Sequence, residues 1–206
     1  YDDLVVAFPN YIRKNVLGQD SSGNNIIEYV LTSGNYNSQI GQRSEDLEIT
    51  KPKILIVSGV HGDERSSVMA TYQFVFDLCN GNSKLADIKE NYIIKIIPCV
   101  TPSSFNANTR INSNGVNINR NFSDYWTLTP EGSNYSGASA ADQLETQIVQ
   151  RWIDNNNDAI LYIDFHNSAY ENEVTYIQGA NVVENMNNIK LGYLKQLYIT
   201  SVYWQS

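Results

Sequence analysis

The chain has 206 residues, 42% of them hydrophobic, which is long enough for one compact domain with a buried core. Its formal net charge is -8, and this excess of negative charge argues against nucleic acid or an anionic membrane as a partner. No apolar run approaches the roughly 20 residues that a membrane-spanning helix needs. We therefore expect a single domain over residues 1–206, a monomer by default, that does not bind nucleic acid or membranes.

Short β-branched runs predict buried strands along the chain, and amphipathic stretches between them predict helices. Residues 101–136 have no sustained period and are rich in Asn, Ser and Gly; a loop of that length is unusual unless it is functional or disordered. The predicted strands cover residues 26–31, 53–57, 92–97 and 159–165. The predicted helices cover residues 66–78, 139–155 and 182–198, the second of them capped by Ser139.

The alternation of apolar strands with helices predicts an α/β fold with a central, largely parallel sheet. In open sheets of this kind, functional groups collect at the carboxyl ends of the strands. His61 follows one predicted strand, Thr101 follows the next, and His166 follows the last. The distinctive residues of the chain are therefore expected at one edge of the sheet.

The two histidines and one glutamate predict a metal site. His61 lies in the run His-Gly-Asp-Glu with Glu64 three residues later, and His166 is the second of only two histidines. Two neighbouring ligands, one remote ligand and a fourth position left to water form the usual pattern of a catalytic zinc. We expect one Zn²⁺ per chain, held by His61, Glu64 and His166.

The long loop carries two arginines in a segment with few other charges, Arg110 and Arg120. A guanidinium can bind a carboxylate through two parallel hydrogen bonds, and it can stabilise an oxyanion beside a metal. Solvated loop arginines are the alternative interpretation, and the sequence leaves both open.

These residues resemble the zinc carboxypeptidase A family, the funnelin-type metallocarboxypeptidases. The resemblance extends over about residues 50–170. It rests on the runs His-Gly-Asp-Glu, Arg-x-Asn, Gly-Val-Asn-Ile-Asn-Arg-Asn-Phe, Tyr-Ser-Gly, Glu-Thr and Asp-Phe-His, whose chemically distinctive members are His61, Glu64, Arg110, Asn119, Arg120, Glu145 and His166.

The resemblance implies a three-layer fold, with a mostly parallel mixed sheet between helices, and a carboxypeptidase function. A zinc-bound water would attack the peptide bond at a free C-terminus of a peptide substrate. Arg110 would be the catalytic arginine that polarises the scissile carbonyl. Asn119 and Arg120 would bind the C-terminal carboxylate of the substrate.

Two departures from the family pattern bear on function. The family's general-base glutamate lies farther beyond the second histidine than this chain extends, so we expect a domain that lacks its C-terminal part. Glu171, Glu173 and Glu184 are poor substitutes for that base. Asn117 stands where the family has an aspartate that orients the first zinc histidine from behind, and the loss of this charge should lower metal affinity.

Two other functions stay open. An acylase of the aspartoacylase or succinylglutamate desuccinylase type would use a similar His, Glu and His set on small N-acyl amino acids. A non-catalytic module would bind zinc and peptide without turnover. The substrate side chain is not specified by the sequence; a cell-wall peptide, with a secreted, cell-envelope or virion-associated location, is one expectation.

Overall fold

The computed structural model describes residues 1–33 and 51–167, together with the backbone of four short strands outside these ranges. Its helices are α1 (Asp2–Ala7), α2 (Arg65–Cys79), α3 (Ala86–Asn91), α4 (Pro102–Ala107) and α5 (Leu144–Asp154). Its strands are β1 (Ile12–Gln19), β2 (Asn25–Leu31), β3 (Tyr36–Asn37), β4 (Gln42–Arg43), β5 (Lys53–Ser58), β6 (Ile93–Ile97), β7 (Leu161–Phe165), β8 (Val174–Ile177) and β9 (Ser201–Trp204).

Five strands form a mixed sheet in the order β1-β2-β6-β5-β7. β5 is parallel to both β6 and β7, whereas β2 is antiparallel to β1 and to β6. The expected α/β fold is confirmed, and the parallel strands are those that precede the distinctive residues. Two further pairs, β3 with β4 and β8 with β9, are separate from this sheet.

The sheet is buried on both faces, as the residues of β5 show. Successive side chains along a strand point to opposite sides of the sheet. Ile54 and Ile56 pack in a core with Phe74 and Leu78 of α2. On the other side, Leu55 and Val57 pack with α5 through residues that include Val149 and Trp152. Helices therefore cover both faces, which is the three-layer arrangement that the sequence implied.

The predicted helix at residues 139–155 was wrong at its beginning. Asp142 accepts hydrogen bonds from the backbone N–H groups of Ala138 and Ser139, at 2.8 and 3.1 Å, and this folds the segment into a turn. The helix begins only at Leu144, so Ser139 does not cap it.

Other differences concern elements that the sequence did not predict. The long loop contains α4 and two 3₁₀ turns, at Ile118–Arg120 and Gly132–Asn134. β1 was not predicted, because most of its residues are partly or fully exposed and leave no clear apolar pattern. The predicted helix at residues 182–198 lies outside the described residues. Within the described part of the chain, no helix is both long and apolar enough to cross a membrane.

Candidate metal centre

The loops that follow the three parallel strands meet at one edge of the sheet. β5 leads to His61, β6 leads to Thr101, and β7 ends directly before His166. The loops after β5 and β6 are joined, because the backbone N–H and the hydroxyl of Thr101 both donate to the carbonyl of Gly59, at 3.1 and 2.9 Å. The fold thus brings together the segments that the sequence singled out.

The turn between β5 and α2 holds His61 and Glu64 on a close-packed backbone. The Glu64 N–H donates to the carbonyl of His61 at 3.3 Å, and α2 begins at the next residue. A Cβ on Gly62 would lie 2.1 Å from the carbonyl carbon of Ser104 in α4. Glycine is therefore required here, because it alone lets α4 approach the turn.

His61 is buried, with 1% of its surface exposed, and both of its ring nitrogens have partners. Nδ1 lies 2.7 Å from Oε1 of Glu64, and Nε2 lies 3.0 Å from Oδ1 of Asn117. The Asn117 amide donates through Nδ2 to the carbonyl of Ser133 at 2.9 Å, so its oxygen faces the imidazole. Nε2 therefore carries the hydrogen, and the Nδ1 lone pair faces the carboxylate. Because both facing atoms are acceptors, a proton or a cation must lie between them.

His166 has the same arrangement on the opposite side of the Glu64 carboxylate. Its Nδ1 lies 2.7 Å from Oε2 of Glu64. Its Nε2 lies 3.0 Å from Oδ2 of Asp164, which accepts the imidazole N–H. The two histidines therefore both direct Nδ1 toward Glu64 and hold Nε2 against an oxygen acceptor.

Glu64 lies at the centre of this cluster. Arg110 donates to Oε1 at 2.9 Å, and the backbone N–H of Asn167 donates to Oε2 at 3.2 Å. Ligand atoms from His61, Glu64 and His166 all lie within 4.8 Å of one another. Two imidazole nitrogens and one carboxylate oxygen are a donor set that suits Zn²⁺, with a remaining position for water or substrate.

The electrostatics of the cluster favour positive charge beside the carboxylate. Burial raises the pKa of Glu64, but hydrogen bonds from His166 and His61 outweigh it and hold the pKa well below its ordinary range. Burial lowers the pKa of His166, whereas hydrogen bonds to Asp164 and Glu64 raise it to about 10. A divalent cation supplies charge of the same sign at this position.

The remaining residues suggested by the sequence differ in how close they come to the cluster. Arg110 contacts Glu64 directly and keeps 33% of its side chain exposed. The Nδ2 of Asn119 lies 3.5 Å from Nε2 of His166. Arg120 is exposed, and its guanidinium donates to the carbonyl of Asn119 at 3.1 Å. The structure thus brings Arg110 and Asn119 to the cluster, with Arg120 one residue farther along the same turn.

The contact of Asp164 with His166 was not recognised from the sequence. Asp164 is two positions before His166 at the end of β7, and residues at this spacing along a strand share a face. This spacing is the signal that could have identified Asp164 as a partner of the histidine.

A buried polar network supports the loop of Arg110 and was also missed. The carboxylate of Glu145, 1% exposed, accepts from the backbone N–H of Ser21 at 3.0 Å and from Nδ2 of Asn112 at 3.3 Å. Asn112 lies two residues beyond Arg110, so the network anchors this loop. The family motifs include Glu145 but gave no signal for this contact, because Ser21 and Glu145 are 124 positions apart.

The fold and the cluster define an α/β protein with a candidate mononuclear zinc centre made of two histidines and one glutamate. The sequence pattern of the zinc carboxypeptidase family matches residues 1–200. The chain therefore belongs to the zinc carboxypeptidase family, and the resemblance drawn from the sequence is confirmed.

Two curated relatives are carboxypeptidases. The chain is 26% identical to carboxypeptidase SOL1 of Arabidopsis thaliana, over 56% of this chain and 23% of that protein. It is 27% identical to the carboxypeptidase N catalytic chain of Rattus norvegicus, over 82% of this chain and 42% of that protein. The chain thus spans less than half the length of each.

Solved structures of other proteins share the fold. Carboxypeptidase A from Helicoverpa armigera matches with a TM-score of 0.69 at 18% identity, over 98% of this chain and 61% of that one. Thrombin activatable fibrinolysis inhibitor matches with a TM-score of 0.72 at 14% identity, over 98% of this chain and 56% of that one. At these identities the likeness establishes the fold alone.

Proposed function

We propose that this chain carries the zinc centre of a metallocarboxypeptidase, which hydrolyses the peptide bond beside a free C-terminal carboxylate. The observation that carries the proposal is the convergence of His61, Glu64 and His166 on one point, in a member of the zinc carboxypeptidase family. In this proposal the three residues are the ligands of one Zn²⁺ per chain. Residues 1–206 belong to a single peptidase domain, in line with the family match over residues 1–200.

The direction of the ligand atoms supports this assignment. Asn117 and Asp164 occupy the Nε2 sides of the two imidazoles, which leaves both Nδ1 atoms for a metal. A zinc ion at this position would polarise a carbonyl group and lower the pKa of a water molecule.

Arg110 is the proposed oxyanion-stabilising group. Its guanidinium lies 2.9 Å from Glu64 and is partly exposed, so a substrate carbonyl at the cluster would come within its reach. The planar, permanently charged fork stabilises the negative charge that develops on the carbonyl oxygen during hydrolysis.

Asn119 and Arg120 are the proposed binding pair for the substrate's terminal carboxylate. Asn119 lies beside His166, and Arg120 is exposed and adjoins it, so a peptide chain end could contact both while its last bond reaches the metal. We assign no general base among the described residues; Glu171, Glu173 and Glu184 lie outside them. A cell-wall peptide and a secreted, envelope or virion location stay predictions.

Metal analysis of the purified protein tests the zinc centre. We expect about one zinc per chain, and loss of the metal in His166→Ala and Glu64→Gln, because each variant removes a ligand. Glu131→Gln is the matched control, since it neutralises an exposed glutamate outside the cluster. A wild-type protein without zinc, or ligand variants that retain it, would contradict the proposal.

Substrate comparison on the full natural protein tests the reaction. We expect cleavage of a peptide with a free C-terminal carboxylate and no cleavage of the same peptide with an amidated C-terminus. The amidated end carries no negative charge with which Arg120 could form an ion pair. Hydrolysis of N-acetyl-aspartate alone would identify the acylase function instead. Zinc and peptide binding without turnover would identify the non-catalytic module.

A further inference from the structure

The two histidines of the cluster have unequal partners behind them. His61 is backed by the neutral amide of Asn117, and His166 is backed by the carboxylate of Asp164, each with Nε2 3.0 Å from the oxygen. A neutral acceptor and an anionic acceptor both fix the tautomer of an imidazole, but only the anion also strengthens the opposite nitrogen as a ligand. The electrostatic support of the cluster therefore lies on the His166 side.

Among the described residues, His166 is the hydrogen-bond partner found for the Asp164 carboxylate. Oδ2 contacts His166, whereas Oδ1 is buried and has no hydrogen-bond partner in the described part of the chain. Only 26% of the side chain is exposed. Since a carboxylate that is partly removed from water is costly without compensation, the imidazole N–H is the feature that stabilises it here.

The sheet fixes the backbone position of Asp164 beside the cluster. Asp164 pairs with Val57 in the parallel register between β7 and β5, so its Cα is fixed by the sheet. His166 follows two residues later, and the N–H of the next residue, Asn167, donates to Glu64 at 3.2 Å. Asp164 is thus held on a strand, and the proposed ligand that it contacts lies directly beyond the end of that strand.

We propose that Asp164 is a positioning residue of the metal centre. Its carboxylate holds the His166 imidazole with Nε2 protonated and Nδ1 aimed at the cluster, and its charge strengthens Nδ1 as a metal ligand. It supplies to His166 the negative charge that Asn117 does not supply to His61. This inference rests on the proposed zinc centre and adds to it the group that controls metal affinity.

Zinc dissociation constants of Asp164→Ala and Asp164→Asn test the inference, with Zn²⁺ alone as the probe in competition with a chelator. Loss of an outer partner of a ligand histidine typically weakens metal binding by about 10–100-fold, and we expect this for Asp164→Ala. Asp164→Asn keeps an acceptor oxygen without the charge, so its affinity should lie between those of Asp164→Ala and the wild type. The same variants loaded with Co²⁺ should have altered visible absorption, which a change in overall stability alone would not produce.

Asp158→Asn is the matched control for charge. Asp158 pairs with Lys53 at the first residue of β5, at the opposite end of the strand from the metal centre. The Asp158→Asn variant loses the same charge as Asp164→Asn, and we expect this variant to bind zinc with the wild-type dissociation constant.

The outcomes separate this inference from the proposed function. If the wild type binds zinc and both Asp164 variants bind it equally well, the positioning role is overturned and the zinc centre stands. Loss of stability in the metal-free protein with an unchanged dissociation constant also overturns it, because the role is then structural. If Asp164→Ala fails to fold, the zinc dissociation constant of Asp164→Asn alone tests the positioning role. A wild type that binds no zinc overturns both proposals.

Discussion

Asn117 makes two hydrogen bonds at opposite ends of a fully buried amide. Its oxygen accepts from His61 and its Nδ2 donates to the carbonyl of Ser133, at 3.0 and 2.9 Å. From the sequence, the amide indicates a loss of charge relative to the aspartate of the family. The structure adds that the amide N–H is also used, since it donates to the carbonyl of Ser133. A carboxylate at this position would instead place a second acceptor against that carbonyl oxygen.

Asn117→Asp should therefore destabilise the metal-free protein. We expect the free energy of unfolding to fall by about 1–3 kcal/mol at neutral pH, the cost of leaving a buried polar group without its partner. Urea denaturation in the presence of a chelator measures this. Asn134→Asp, at the exposed position that follows Ser133, is the control and should behave like the wild type. An unchanged midpoint in Asn117→Asp would show that the Ser133 contact is dispensable.

The turn between β1 and β2 is bonded to the beginning of α4 through the side chain of Asp20. Asp20, 2% exposed, accepts from the backbone N–H groups of Ser22, Asn24 and Ser103, at 3.0, 2.9 and 2.8 Å. Ser103 lies in the first turn of α4, which leads into the loop of Arg110. The turn thus fixes the beginning of the loop, and the Glu145 network fixes its continuation.

Asp20 should give the protein a pH-dependent part of its stability. Burial raises the pKa of Asp20, but hydrogen bonds from Ser103, Asn24 and Ser22 outweigh it, so the pKa in the folded state is below the ordinary value. A depressed pKa adds stability that is fully present above the unfolded-state value of about 3.9 and is lost as the pH falls through the folded-state value.

Urea denaturation of Asp20→Asn and the wild type at several pH values measures this effect. We expect the variant to be less stable at pH 7, and the difference to shrink below about pH 4 as the wild-type carboxylate takes up a proton. Asp124→Asn, on the surface, corrects for the general loss of one charge. A difference that stays constant down to low pH would show that the charge of Asp20 contributes nothing.

At the scale of the whole molecule, the candidate metal centre joins distant parts of the chain. Glu64 and His166 are 102 positions apart and belong to loops after β5 and β7, which are neighbours in the sheet. A ligand that binds the folded state and not the unfolded state stabilises the fold by an amount that grows with the logarithm of its free concentration relative to its dissociation constant. Zinc should therefore stabilise the domain and not only the site.

Zinc at 100 times its dissociation constant should raise the free energy of unfolding by about 2.7 kcal/mol, because binding is linked to folding. Denaturation of the wild type with and without zinc measures the difference. His166→Ala should lose this stabilisation, since it removes a proposed ligand from the more distant segment. Equal stabilisation of both proteins would mean that zinc binds elsewhere on the chain.

The central strands and the positions of the chemical groups could be predicted from the sequence. Strands expected at residues 53–57 and 92–97 are found at Lys53–Ser58 and Ile93–Ile97, because a short run of apolar β-branched residues has few other stable arrangements. The beginning of α5 could not be predicted, because the Asp142 turn competes with the helix through side-chain bonds that a periodicity does not contain.

The sequence by itself determined the residue types of the candidate metal centre and the strand ends near which they lie, since His61, Glu64 and His166 follow apolar runs that are typical of buried strands. The family resemblance indicated Asn117 behind His61, but only the tertiary structure showed that Asp164 lies behind His166 and that Ser133 fixes the Asn117 amide. Asn117 reaches His61 across 56 positions of sequence, and Asp164 reaches His166 across two. Such contacts depend on how loops pack and which way an amide points, and neither is encoded in local pattern or composition.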